Sequence, residues 1–433
     1  MVLGKKIIGG GVIILALSAS AGSLRLPPSA AGPFPHWLSQ TGAFKDVQTL
    51  AINTNLLPYE LNAPFWSDGA EKWRWLAPAA GDSNKIQFAQ TGEWKFPAGT
   101  IFVKHFELPT DESHPDVRRR LETRFLVCGV TGTVYGVTYK WRADNSDAEL
   151  LETNLFENIA IQTPSGVRTQ TWYYPSRADC LTCHTPLAGG VLGVTARQLN
   201  RKYIYPDSQS DNQLVHWNRL KLFAGNWTDE QLLASPQLAD LRTPAGTPEH
   251  RARSWLDANC ANCHRPGGTV ASFDARFDTP LAQQNLVNGS VLIDQGIDAA
   301  RIIAPNDIWR SILFMRVNTV DAIKMPPLAR GRIDPQGTEL LRAWIESLPA
   351  PPTLPPPAIN PGGEFKNPQE VRITHNEPGA TLHYTLDGSA PTKSSPIYEK
   401  PVRLDASTTV RARAYKEGFT RSITVQSTFI IEP

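Results

Sequence analysis

The sequence predicts a multidomain α+β chain: an N-terminal antiparallel β domain, two regions built around Cys-x-x-Cys-His motifs of which the second is all-α, and a C-terminal β-sandwich. The first half alternates short apolar runs with Gly and Pro punctuation, two motifs stand at 180–184 and 260–264, and alternating strands follow a proline run at Pro351–Pro357. With 433 residues, 41% hydrophobic and 19% charged, the chain has material for two to four domains. Its 36 prolines favour long loops and strand-rich modules over helical bundles.

Residues 1–21 combine Lys5 and Lys6, the apolar stretch Ile7 to Leu17, and Ser18-Ala19-Ser20-Ala21, which together describe a secretory signal peptide. The apolar run is about half the ~20 residues of a spanning helix, so no membrane span is expected after cleavage, and the compartment is periplasmic or otherwise extracytoplasmic. Without the two lysines the chain carries 41 basic against 41 acidic residues. No broad basic field remains to bind nucleic acid.

Over 22–170 the runs Thr100 to Phe106 and Thr133 to Trp141 are strands, separated by turns such as Phe96-Pro97-Ala98-Gly99. The first motif region spans 171–247 and includes a helical pattern from Asp211 to Phe223. The second spans 248–350, with helices expected over 250–264 and 334–348. Residues 351–362 form a semi-rigid proline-rich linker. Residues 363–433 read as strands around turns.

Five cysteines are present: Cys128, Cys180, Cys183, Cys260 and Cys263. Export alone would suggest disulfides, yet Cys180-Leu181-Thr182-Cys183-His184 and Cys260-Ala261-Asn262-Cys263-His264 both match the attachment sequence of haem c. Thiols about one helical turn apart can form thioethers to both vinyl groups of one porphyrin, and the adjacent histidine then serves as proximal iron ligand. A redox dithiol or a four-cysteine zinc site leaves the repeated histidine unexplained. The expected cofactors are two covalently bound haem c, attached at Cys180, Cys183, Cys260 and Cys263, with His184 and His264 on the metals. Cys128, in a strand-like run, is expected to be a small buried hydrophobe.

A helix leading Trp255 and Leu256 into the second motif, Lys324-Met325-Pro326-Pro327 placed so that Met325 follows His264 by 61 residues, and a closing helix with Leu340, Leu341, Trp344, Ile345 and Leu348 resemble the class I cytochrome c fold. That resemblance implies Met325 as the sixth ligand of the second haem and leaves Met315 to packing. His383-Tyr384-Thr385-Leu386-Asp387-Gly388-Ser389-Ala390-Pro391-Thr392 and Arg411-Ala412-Arg413-Ala414-Tyr415-Lys416-Glu417-Gly418 resemble the immunoglobulin-like C-terminal module of chitobiases and related hexosaminidases over 363–431, which implies an Ig-like β-sandwich and no activity. Tyr59 to Asn62, Trp66 to Lys72, Trp94 to Thr100, Pro175 to Asp179 and Gly193 to Asn200 are similar to a family of bacterial two-haem c-type cytochromes of largely unassigned function, across 57–348. This implies two haems and the order of domains, without a substrate.

Met1, Met315 and Met325 are the only methionines, so the sixth position of the first haem falls to a histidine, to another non-methionine group, or stays vacant. His105 and His216 are the histidine candidates. Trp172-Tyr173-Tyr174 is expected to pack, with the side of the first haem as one place for it. Arg177, Arg197 and Arg265 either pair with haem propionates or lie solvated. Asp68 and Glu71 are close in sequence but do not amount to a glycosidase carboxylate pair. The leading expectation is an exported two-haem c-type cytochrome that passes electrons to a redox partner protein. One alternative is a two-haem peroxidase or oxygenase with an open first haem, and another is tethering to polysaccharide or a partner surface through the C-terminal module. No catalytic residue is assigned.

Overall fold

The computed structural model describes residues 24–269 and 272–432, so the signal segment expected at 1–21 lies outside the described residues. Among the described residues no helix is long and apolar enough to cross a membrane. The chain is mostly β with few helices.

A six-stranded antiparallel meander dominates the N-terminal half: β1 (Leu57–Pro58), β2 (Glu71–Ala77), β3 (Ile101–Pro109), β4 (Arg118–Cys128), β5 (Val134–Trp141) and β6 (Ala148–Leu150), paired in that order. Both faces of its central strands are covered, which is why Ile101-Phe102-Val103 is a continuous apolar run instead of an alternation. Val103, Phe125, Val137 and Tyr139 face one core, and Leu76, Phe102 and Cys128 face another. Cys128 is thus buried at the end of β4, as its apolar neighbours predicted. A long hairpin follows, β7 (Leu155–Thr163) with β8 (Gly166–Tyr174).

The second of those cores also takes in Val191, Val194, Leu214, Trp217 and Phe223, so the region after residue 170 folds onto the sheet and has no separate interior there. Its helix α1 (Arg177–Cys183) packs on β5, where Gly136 leaves room: a Cβ at that position would stand 2.5 Å from the Cys180 Sγ. The helical pattern expected over 211–223 is a shorter helix, α2 (Gln213–Arg219), capped by Asn212 and followed by Lys221 in the left-handed region at φ 58°.

Three helices build the next core: α3 (Pro248–Asn259), α4 (Ile312–Val317) and α5 (Pro335–Ser347). The helix expected to run through the second motif stops at Asn259, because that side chain turns back to the Trp255 carbonyl and accepts the Trp66 amide. The Asn259 amide group thereby joins the helix end to the loop before β2. α3 and α5 cross at Gly337, where a Cβ would meet the Trp255 ring at 2.4 Å. Asp334 caps α5 through the Gly337 N–H and accepts from the Trp255 indole at 2.7 Å.

The C-terminal module is an Ig-like β domain whose main sheet has the order β9 (Gly363–Phe365), β12 (Val425–Ile431), β11 (Thr408–Tyr415), β10 (Thr381–Thr385). Val371, Leu404, Val410 and Phe429 fill its interior. The proline run is pinned to it: Leu354 is fully buried, and the Leu354 and Thr420 amides bond to Thr420 and Pro352. Gly337→Ala should lower stability by about 1–3 kcal/mol, since the α3–α5 crossing must open to admit a methyl group. A denaturant midpoint equal to that of the parent chain would show that the crossing has slack.

Candidate functional site

Both Cys-x-x-Cys-His segments open into one cavity of about 590 Å³, walled by the sheet face of β2 to β5, by α1, and by α4 with the loop at Met325. The motifs, 80 residues apart in sequence, therefore face a common space. That convergence was not legible in the sequence.

α1 begins at Ser176, whose hydroxyl accepts the Asp179 N–H while Asp179 accepts from the Ser176 N–H and, at 2.5 Å, from the Tyr173 hydroxyl. This reciprocal cap places Cys180 and Cys183 one turn apart on a short helix. The His184 amide closes that turn on the Cys180 carbonyl at 3.0 Å. In the second segment Cys260 follows α3 directly, and both the Cys263 and His264 amides bond back to its carbonyl. The two segments reach similar tight geometry from different helical contexts.

The imidazoles are positioned differently. His184 donates from Nδ1 to the Gly190 carbonyl at 2.7 Å, which leaves the Nε2 lone pair free. His264 stacks on Phe273 with centroids 4.3 Å apart, and its buried Nδ1 has no hydrogen-bond partner among the described residues. Burial, helped by Lys104, pushes His184 down to about 4, and burial with Arg316 does the same to His264. Both rings are neutral at physiological pH and so able to donate a lone pair to a metal. Burial raises the Cys260 thiol to about 12. Cys183 and Cys263 both line the cavity, and the influence of each thiol on the other raises Cys183 and lowers Cys263.

Met325 lines the same cavity and a small adjoining pocket bounded by Trp255, Asn259 and Asp334, which puts it on the side of the second segment. Its loop is organised by Arg330, which is buried and donates to the carbonyls of Val317, Thr319, Met325 and Arg332. Asp68 binds the Gly331 and Arg332 amides at 2.7 and 3.0 Å, tying this loop to the N-terminal domain. Asp68 is thus an anchor and takes no part in a carboxylate pair. Met315 packs beside Ile297, Ala300 and Ile312.

The histidine candidates for the first segment are both placed elsewhere. His105 is fully buried on the opposite face of β3, with Nδ1 against the Thr123 hydroxyl at 2.9 Å and Nε2 against Glu107 at 3.2 Å. Strand alternation points it away from the cavity that its neighbours Lys104 and Phe106 line. His216 stacks on Tyr205 at 3.7 Å, outside the cavity lining. Among the described residues the cavity histidines and methionine are His184, His264 and Met325. Trp172 and Tyr173 do border it.

The arginines close to the motifs in sequence are occupied by protein carboxylates. Arg177 pairs with Glu152, Arg265 with Glu93, and Arg197 with Asp257, Asp278 and Glu93 at 3.0, 3.1 and 3.4 Å. Burial opposes the Arg197 charge, but Asp257, Glu93 and Asp278 outweigh it and raise the guanidinium above its ordinary value. Besides Arg197 and Arg265, the cavity is bordered by Arg316 of α4 and by four cations of the sheet, Lys72, Arg74, Lys104 and Arg124. Burial lowers Lys104 to about 7, reinforced by Arg74 and Arg124. Alternation along single strands holds this signal, but it becomes a site only through strand register.

Arg197→Met should cost about 3–5 kcal/mol, because three carboxylates would be left close together without their shared cation. Thermal unfolding of the variant beside Arg177→Met, whose surface pair should be worth no more than about 1 kcal/mol, checks the difference.

The model of the chitobiase/beta-hexosaminidase C-terminal domain matches residues 360–427. No curated protein matches the chain. The matched residues lie within the C-terminal β module, away from the cavity, and similarity of this kind to an accessory domain carries no activity with it.

Proposed function

We propose that the chain is an exported two-haem c-type cytochrome that transfers electrons. One haem c is attached through Cys180 and Cys183 with His184 on the metal, and the other through Cys260 and Cys263 with His264. The single observation that carries the reading is the convergence of two complete Cys-x-x-Cys-His segments, each with a neutral buried imidazole, on one cavity. The residues fit the group: Gly136 leaves room for the Cys180 sulfur against the sheet at the cavity wall, and the Gly190 carbonyl fixes the tautomer that leaves Nε2 as a possible ligand.

When bound, haem c supplies a one-electron ferric/ferrous couple. The protein's part is to hold the thiols for attachment, orient each imidazole, and limit water. Met325, on the second side and braced by Arg330, would supply a soft neutral sulfur, which favours the reduced metal. On this reading α3, α4 and α5 constitute a class I cytochrome c-like unit, and a redox partner protein meets the molecule in the periplasm. The C-terminal module acts as a rigid spacer, supported by the ion pairs of its Arg413 and Arg421 with Asp298 and by Arg310 donating to the Arg421 and Ser422 carbonyls. A polysaccharide-binding role for that module is the alternative, tested by glycan binding to the full chain.

A second reading, a peroxidase or oxygenase, is favoured by one observation: neither His105 nor His216 reaches the cavity. The first metal would then have an open position where peroxide, oxygen or carbon monoxide can bind.

Protein matured with haem should show c-type absorption bands and two haems per chain, falling to one in a Cys180→Ala, Cys183→Ala double variant. Absence of c-type bands in the parent protein sinks the proposal. Met325→Ala should leave both haems attached while lowering the second midpoint potential and removing the red-edge band of thioether-ligated ferric iron. Retention of that band would place the sulfur ligand elsewhere. Carbon monoxide should bind reduced protein at no more than one haem, the one at Cys180 and Cys183; binding at the other haem would reverse the assigned roles.

A further inference from the structure

Lys72 and Arg74 lie two residues apart on β2 and so share one face, while Arg74 stands opposite Lys104 on β3, which in turn stands opposite Arg124 on β4. All four side chains line the cavity. Directly opposed like charges repel, and here the register stacks them across three strands. Arg124 is neutralised by Glu122, which it grips with bonds of 2.8 and 2.6 Å. The other three have no carboxylate within ion-pair distance among the described residues. Among the described residues, Lys72 donates to the Phe65 carbonyl and the Ser67 hydroxyl, Arg74 reaches the Lys72 carbonyl alone, and Lys104 makes no side-chain hydrogen bond and has the Phe106 ring at 5.6 Å.

The carboxylates nearest to hand are already committed. Asp68, Glu93, Asp179 and Asp257 line the cavity, yet each is taken up by the backbone amides, arginines or cap described above. Positive charge enclosed without a partner is costly, so the face demands an anion from outside the chain.

We infer that Lys72, Arg74 and Lys104 form a carboxylate-binding row that takes the propionates of the haem held at Cys180 and Cys183. The inference rests on the function proposed above. It assigns the row to the first haem because Cys180 sits against Gly136 of β5, in the same sheet as the row. Arg177, Arg197 and Arg265, the arginines nearest the motifs in sequence, are excluded because their charges are spent on Glu152, Glu93, Asp257 and Asp278. A guanidinium flanked by two ammonium groups suits two carboxylates side by side, with Arg74 offering a fork to either.

The test uses the full chain with and without haem. In the haem-free chain Lys104→Met should raise the melting temperature, because a costly unpaired charge is removed; a lowered melting temperature would show that the row is satisfied within the protein and would overturn the inference. In haem-loaded protein, Arg74→Gln and Lys104→Gln should keep two haems per chain, lower one midpoint potential and leave the other unchanged, with Arg74→Lys and Lys104→Arg restoring the parent value. Two retained haems at parent potentials overturn the inference. Free succinate distinguishes the source of the carboxylates: a saturable spectral shift with succinate in the parent protein, lost in Arg74→Gln, would mean that the row is open to soluble dicarboxylates and overturns the propionate assignment. A parent protein that carries no haem instead defeats the proposed function, and the haem-free melting comparison still reports whether the row lacks an anion.

Discussion

Everything about the cavity depends on one buried ionic junction, centred on Arg197. Its guanidinium comes from the region after the first motif, Asp257 from α3, Asp278 from the segment beyond the second motif, and Glu93 from the loop between β2 and β3. Arg265 adds a second cation to Glu93 and donates to the Leu187 carbonyl, just past the first motif. A junction of this kind contributes little net stability beyond what apolar packing could supply, but it tolerates only one arrangement of its members. What it fixes is the facing of two motifs that belong to different parts of the chain.

Around that junction the sheet acts as a floor with two unlike sides. Its outer face is aromatic and closed, holding His105 between Trp141 and Trp73 with both ring nitrogens occupied. Its inner face carries the cations. One-residue alternation along β3 thus separates a histidine committed to structure from a lysine with no partner, and a register slip of one position would exchange them. The register is held by long pairings on both sides of β3, with a single irregularity at Phe106 and Glu107, beyond the cationic row.

Local features were legible in the sequence and convergent ones were not. The strands β3 and β5, the shorter α2, the closing helix α5 and the C-terminal module follow from apolar pattern and turn residues, because those signals act over a few positions. Cys128 as a buried apolar residue and Met315 as a packing residue were readable for the same reason. The end of α3 was missed because Asn259 answers to Trp66, almost 200 residues away. Residue type alone marks His105 as a candidate ligand in the sequence, whereas its role is decided by Thr123 and Glu107. Arg197 and Arg265 stand out in the sequence by nearness to the motifs, while their carboxylate partners come from distant segments. The cationic row needs three strands in register before it exists at all.

The attachment of the C-terminal module bears on mechanics. Arg310, buried just before α4, donates to the Arg421 and Ser422 carbonyls, while Asp298 is held by Arg310, Arg413 and Arg421 together. Ile423 packs against Ile297, Ala300 and Ile312, and the proline run fastens the same module at Thr420. The proline run and the α4 side thus grip the same stretch, Thr420 to Ile423, so the module is braced at the start of α4 and does not hang on the linker alone. Ile312, Leu313, Arg316 and Val317 of that helix form part of the cavity wall, so the helix that seats the module also bounds the cavity.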